Sequence, residues 1–171
     1  WVKAPLPGAA GGYASIFFTG TSAVSDIEVY VQQGSNDMIV VHNRGNGGTL
    51  QGVSFPDPPN DVWYHLSVVH TAGTTEVFYN GVSQGIVAHT APLLTTGTQL
   101  SLGYMNSSAF NPAWGSKNLL GKLDEVRIWS TARTASDILA DMNNCLTGTE
   151  AGLGAYYNFE EGTGTVTIDQ V

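Results

Sequence analysis

Apolar and polar positions alternate along most of this chain with the two-residue period of strands that bury one face. Ile27, Val29 and Val31 alternate with Glu28, Tyr30 and Gln32, which predicts a half-buried strand. Tyr13 to Thr19 reads as the strand before it, between Gly11-Gly12 and Gly20. Met38 to His42 pairs back across the turn cluster Gly34-Ser35-Asn36-Asp37. In the next hairpin Leu66, Val68 and His70 share one face and Trp63, His65 and Val69 the other. Ala72-Gly73 turns the chain. Asn80-Gly81 then fits a type I′ turn, whose two central residues need positive φ, and Val82 to Val87 returns. Leu100 to Tyr104 and Leu153 to Phe159 complete the strands, and Met105 to Lys117 reads as the longest loop.

The period changes once. Gly121 to Trp129 predicts a strand with Leu123, Glu125, Arg127 and Trp129 on one face and Asp124, Val126 and Ile128 on the other. Neither face is cleanly apolar, which places it where a buried face meets a polar rim or an ion. Behind it Ile138, Leu139 and Met142 recur at helical spacing, with Ser, Thr and Asp near the first turn, and predict a single short helix within 131–142. Pro56-Asp57-Pro58-Pro59-Asn60-Asp61 is excluded from a strand interior and marks a rigid connection.

Composition agrees with this strand-rich pattern. Twenty-one Gly and seven Pro against 12% charged residues make a turn-rich balance suited to an all-β domain. A chain of 171 residues is long enough for one domain with its own core. Fourteen acidic against six basic residues give a net charge of −8, which disfavours nucleic acid and anionic membranes as partners. No apolar run reaches the length of a membrane-spanning helix. Cys145 is the only cysteine, so an internal disulfide is excluded, and a small packed side chain is expected there.

Three segments carry a family resemblance. Gly-Lys-Leu-Asp-Glu-Val-Arg-Ile-Trp at 121–129, with the helix after it, resembles the closing strand and short helix of laminin-G-like domains. These belong to the concanavalin A-like jelly-roll superfamily, which also includes the pentraxins. Trp63-Tyr64-His65-Leu66-Ser67-Val68-Val69 followed by Glu76 to Gly81 resembles that family's central hairpin, and Leu100-Ser101-Leu102-Gly103 resembles the strand before its variable loop. The resemblance implies an all-β, concanavalin A-like sandwich of two antiparallel sheets with one short helix. Residues 1–171 would form one laminin-G-like domain of a larger, extracellular or cell-surface multidomain protein. It also implies that Trp1-Val2-Lys3 continues a strand already under way, with an earlier strand beside 153–159, and that Glu160 to Thr165 resembles a segment that often opens a domain.

The fold hosts lectins, hydrolases and adhesion modules, so function rests on particular residues. Related hydrolases use acids spaced along one strand, as Glu, Asp two residues on, and Glu two or three beyond. With Asp124 in the middle, Lys122 and Val126 or Arg127 hold the outer places, and neither can act as the acid or base. An atypical hydrolase would need acids from separate strands. The pentraxin calcium site does not carry over either, because Met105, Asn106 and Ser107 stand at its Glu-Gln-Asp positions. Many laminin-G-like domains hold one structural calcium at the rim, and Asp124 is the candidate ligand here. The alternative role for Asp124 is to accept backbone N–H bonds from a neighbouring loop. The four histidines lack zinc-like spacing.

Sugar recognition needs an aromatic face for the ring and amides or charges for the hydroxyls. The 105–117 loop carries Phe110, Trp114, Asn106 and Asn111, with Tyr104 at its base; the 43–48 loop adds Asn43, Arg44 and Asn46. The alternative for Phe110 and Trp114 is to pack inward. Asn106-Ser107-Ser108 also matches a glycosylation acceptor. The expectation is a non-catalytic recognition module, with a glycan or a cell-surface protein as partner. A structural or protein–protein spacer is the first alternative.

Overall fold

The computed structural model describes residues 1–3, 13–20, 25–32, 37–42, 51–56, 58–89, 99–106 and 116–171. In chain order the first half holds β1 (Val2–Lys3), β2 (Tyr13–Gly20), β3 (Ser25–Gln32), β4 (Asp37–His42), β5 (Gln51–Pro56), β6 (Leu66–His70) and β7 (Thr74–Tyr79). Then follow β8 (Val82–Ala88), β9 (Gln99–Leu102), β10 (Tyr104–Asn106), β11 (Ser116–Asn118), β12 (Lys122–Leu123), β13 (Val126–Trp129), α1 (Ala135–Asp141) and β14 (Leu153–Tyr157). One sheet has the order β5-β4-β3-β2-β9 and a second β6-β7-β8, with β13-β14, β10-β11 and β1-β12 as further pairs. Every strand pairing among the described residues runs antiparallel. Among the described residues this is an antiparallel sandwich with one short helix, the strands as the alternation predicts and the jelly-roll arrangement as the resemblance implies.

The core lies between the five-stranded and three-stranded sheets. Ile27, Val29 and Val31 of β3 and Val53 and Phe55 of β5 form one cluster with Tyr64 and the fully buried Val77 of β7. Tyr79 ties the layers, its ring centroid 6.0 Å from that of Phe55 and 5.8 Å from that of Tyr64. β8 approaches so closely that a Cβ on Gly85 would sit 3.3 Å from Val53 Cγ1. No helix among the described residues is long and apolar enough to cross a membrane.

Several local expectations change. β3 is covered on both faces, because Glu28 and Tyr30 are buried as well as Ile27, Val29 and Val31. β5 was not anticipated: only Val53 and Phe55 mark it, and it ends at Pro56 on the sheet edge, where a missing N–H is tolerated. The stretch 100–104 is two strands, since Gly103 turns at φ 69° between β9 and β10. The ends of the 105–117 loop belong to strands, in register from Tyr104↔Asn118 to Asn106↔Ser116. The stretch 121–129 is also two strands, broken at Glu125 with φ 52°. Cys145 is exposed rather than packed, because the turn after the helix carries it outward.

The helix begins where Thr134 caps it. Thr134 Oγ1 accepts from Asp137 N–H at 3.2 Å, and Asp137 Oδ2 accepts from Thr134 N–H at 2.9 Å, a reciprocal capping box. Ile138 is its buried residue, and Leu139 lies over the Asn80-Gly81 turn. That turn has φ 48° and 77°, the pair of positive angles the hairpin requires.

Candidate functional site

The β10–β11 hairpin is anchored at its base. Gly103 N–H donates to Ile16 O at 2.9 Å, and Leu119 N–H donates to Gly103 O at 2.8 Å, tying the hairpin to β2. Tyr104 stands on this base with 42% of its surface exposed. Asn106 closes the paired part opposite Ser116. Of the other residues expected at a sugar site, Asn43, Arg44, Asn46, Phe110, Asn111 and Trp114 lie outside the described residues. A second exposed aromatic, Trp63 at 39%, was assigned only to the central hairpin by its sequence context.

Asp124 lies in the break between β12 and β13. Its Oδ1 accepts the N–H of Glu125 at 2.9 Å, which holds the left-handed Glu125 in place. Among the described residues the donor is its own chain neighbour. Among the described residues no group of three His, Cys, Asp or Glu side chains gathers to hold a metal. A calcium ion at Asp124 would have to draw most of its six to eight oxygen ligands from elsewhere.

Next to Asp124 is a polar cluster that strand alternation alone did not reveal. Arg127 donates through Nη2 to Glu125 Oε2 at 2.5 Å and to Asn144 O at 2.5 Å, and through Nη1 to Asp141 O at 2.7 Å. Tyr156 OH donates to Glu125 Oε1 at 2.7 Å. Burial, reinforced by this bond to a carboxylate, pushes the Tyr156 hydroxyl up to about 12. Arg133 pairs with Asp141 and lies 4.2 Å over the Trp129 ring. Both Glu125 oxygens thus accept hydrogen bonds from side chains of the protein itself. The cluster fastens β13 and β14 to the end of α1, where carbonyl groups attract a cation. The signal for it in the sequence was the pair Glu125 and Arg127 on one face of a strand with no cleanly apolar side.

The histidines separate into two settings. His65 lies edge-on to Trp1 at 5.3 Å, and burial, followed by the positive charges of the Trp1 amino group and Arg127, lowers it to about 4. His70 and His89 stack with centroids 4.5 Å apart, and His70 Nδ1 is 3.1 Å from Thr75 Oγ1.

Among curated proteins no sequence matches significantly. A crystal structure of a Bacteroides ovatus protein, to which carbohydrate binding is ascribed, superposes with a TM-score of 0.64 at 19% identity. The likeness covers 98% of this chain and 52% of that one, so the chain spans about half the length of its structural relative. A laminin G family model described as the concanavalin A-like lectin/glucanases superfamily matches residues 1–139. With more than half of its length matched in this way, the chain belongs to the concanavalin A-like lectin/glucanases superfamily.

Proposed function

We propose that this domain is a non-catalytic carbohydrate-recognition module of an extracellular or cell-surface protein, of the adhesin type. The observation that carries the proposal is the exposed Tyr104 at the base of an anchored hairpin, whose connection contains Phe110, Asn111 and Trp114. An aromatic ring offers its face to the C–H side of a sugar, while Asn106, Asn111 and, from the other loop, Asn43, Arg44 and Asn46 supply hydrogen bonds to hydroxyls. The ascribed carbohydrate binding of the structural relative supports the same class of ligand. The hydrolase alternative is weakened by Glu125, whose oxygens are engaged by Tyr156 and Arg127.

A glycan array probed with and without chelator tests this function. Binding to defined glycans is expected, and loss of that binding on chelation, restored by added calcium and absent in Asp124→Asn, would support a calcium ion held by Asp124. No binding to any glycan, with the protein folded, would favour the spacer. Release of reducing sugar from an oligosaccharide would revive the enzyme.

A further inference from the structure

β1 runs between two neighbouring segments, and the register across all three sets one row of side chains on a single face. Val2 pairs with Leu123 of β12 on one side and bridges to Tyr64 on the other. These residues face the core: Val2 and Tyr64 are buried in it, and Leu123 packs against it. Residues one step along each segment therefore face away from the core. Lys3 stands directly opposite Lys122 in the β1–β12 ladder. On the other side the antiparallel register sets Lys3 across from Trp63, just as it sets Trp1 across from His65, whose rings meet edge-on at 5.3 Å. Val2 and Tyr64 exchange both their hydrogen bonds at 2.9 Å. Lys3 and Trp63 accordingly occupy the alternate kind of pair, in which side chains stand closer together. Lys122, Lys3 and Trp63 form a cross-strand row with steps of about 5 Å.

The charges in this row are unusual for the chain that carries them. Like charges directly opposite each other in a sheet are destabilising, and here 14 acidic residues are set against six basic ones. Arg127 and Arg133 are engaged by Glu125 and Asp141. Among the described residues neither Lys3 nor Lys122 enters an ion pair or a side-chain hydrogen bond, and the Trp63 ring meets no other ring. Asp124, two residues beyond Lys122, turns its Oδ1 to the Glu125 N–H. Asp61 lies two residues before Trp63, at a left-handed turn with φ 58°. Trp63 is exposed, as are Val62 and Leu120 on either side of the row. The net charge of −8 repels anions only at a distance, because at about 0.15 M salt that field fades within roughly 8 Å. Groups in contact with a ligand then decide its charge. The row also lies close to the hairpin base, since only four residues, at most about 14 Å of chain, lead from Asn118 opposite Tyr104 to Lys122.

We propose that Lys122, Lys3 and Trp63 form a subsite for an acidic sugar residue. Trp63 takes the C–H face of the ring, and the two ammonium groups take its carboxylate or sulfate. This rests on the reading of the domain as a glycan-recognition module and adds the charge of the glycan. An ammonium is a compact charge with rotatable donors, so a lysine pair holds either anion without the planar match that arginine imposes. An anion between the two replaces their mutual repulsion with attraction to a shared partner.

The test compares oligosaccharides bearing uronate, sialate or sulfate with neutral counterparts of the same linkage, first on an array and then by calorimetry. At least one acidic glycan is expected to bind about tenfold or more tighter than its counterpart at about 50 mM salt, and the margin should shrink toward about 500 mM. Preference in the uronate or sialate arm assigns a carboxylate to the row, and preference in the sulfate arm assigns a sulfate. The double variant Lys3→Gln/Lys122→Gln should lose the margin while melting at or above the parent temperature, because the opposed charges are gone. Should the double variant not fold, Lys122→Gln alone is expected to lose part of the margin at an undiminished melting temperature. Trp63→Ala should weaken the acidic glycan several-fold. An acidic preference that survives in the lysine variants would overturn the row as its source. Binding of neutral glycans only, equal in parent and variants, would overturn the acidic subsite and leave the recognition reading standing. Failure to bind any glycan, neutral or acidic, would overturn both.

Discussion

His65 shows how one side chain makes stability depend on pH. It is lowered from its ordinary 6.5 to about 4, first by burial and then by nearby positive charge, so the folded state holds it neutral. A group lowered in this way contributes stability that is complete above about pH 6.5 and is lost as the pH falls toward 4. Allowing for its partial exposure, the loss is on the order of 1–2 kcal/mol. The melting temperature should therefore drop between about pH 7 and pH 4.5, and His65→Gln should flatten that part of the profile. An unchanged profile in the variant would assign the acid sensitivity to other groups. Gly81 is limiting for a different reason. It sits at φ 77°, and an added Cβ would clash with Leu139 Cδ2. Leu139 can rotate away but the backbone angle cannot relax, so Gly81→Ala should cost about 1–2 kcal/mol in urea unfolding. A cost near zero would mean that the turn rearranges.

Between elements, the decisive contact is Arg127. It gathers the carboxylate of Glu125 and the carbonyls of Asp141 and Asn144, and so fixes the end of α1 to β13. Arg127→Ala would leave Glu125 in a largely enclosed site with only Tyr156 as donor, a change of about 2–4 kcal/mol. Arg127→Lys should recover only part of this, because an ammonium lacks the planar fork that reaches several acceptors at once. Urea midpoints of the two variants give the comparison, and full recovery by lysine would reduce the cluster to simple charge pairing. The elements themselves were largely legible: strands and helix follow from apolar period, and the Asn80-Gly81 turn from residue type. Breaks within strands were not, because nothing in Leu-Asp-Glu-Val announces that Glu125 adopts φ 52°. β5 was missed because two apolar residues spaced by Ser54 resemble a loop until β4 lies beside them. Cys145 misled because residue type predicts burial only on average.

Over the whole molecule, the proposed function would separate recognition from stability, and this separation can be measured. The sandwich is held by the cluster around Val77 of β7, which has no exposed surface and faces the core between the two sheets. Tyr104 belongs to the base of a hairpin tied to β2, and Trp114 follows in the sequence between its two strands. The sequence could nominate this loop by residue type alone, since no period links a rim aromatic to a sugar; the described residues locate its base at Tyr104 and Asn106. Val77→Ala should remove about 2–3 kcal/mol of stability through lost transfer energy and a residual cavity. At temperatures where the variant remains folded, its glycan affinity should match the parent. Tyr104→Ala and Trp114→Ala should do the reverse. Each should melt near the parent temperature if, as proposed, its ring serves the ligand and not the core. Each should lose a stacking contact of about 0.5–1.5 kcal/mol, a several-fold to about tenfold loss of affinity. If Trp114→Ala instead melts far lower, its ring packs inward and the sugar site must be built around Tyr104 or elsewhere. If both variants bind and melt like the parent, the hairpin is a spacer element, and the recognition proposal fails with it.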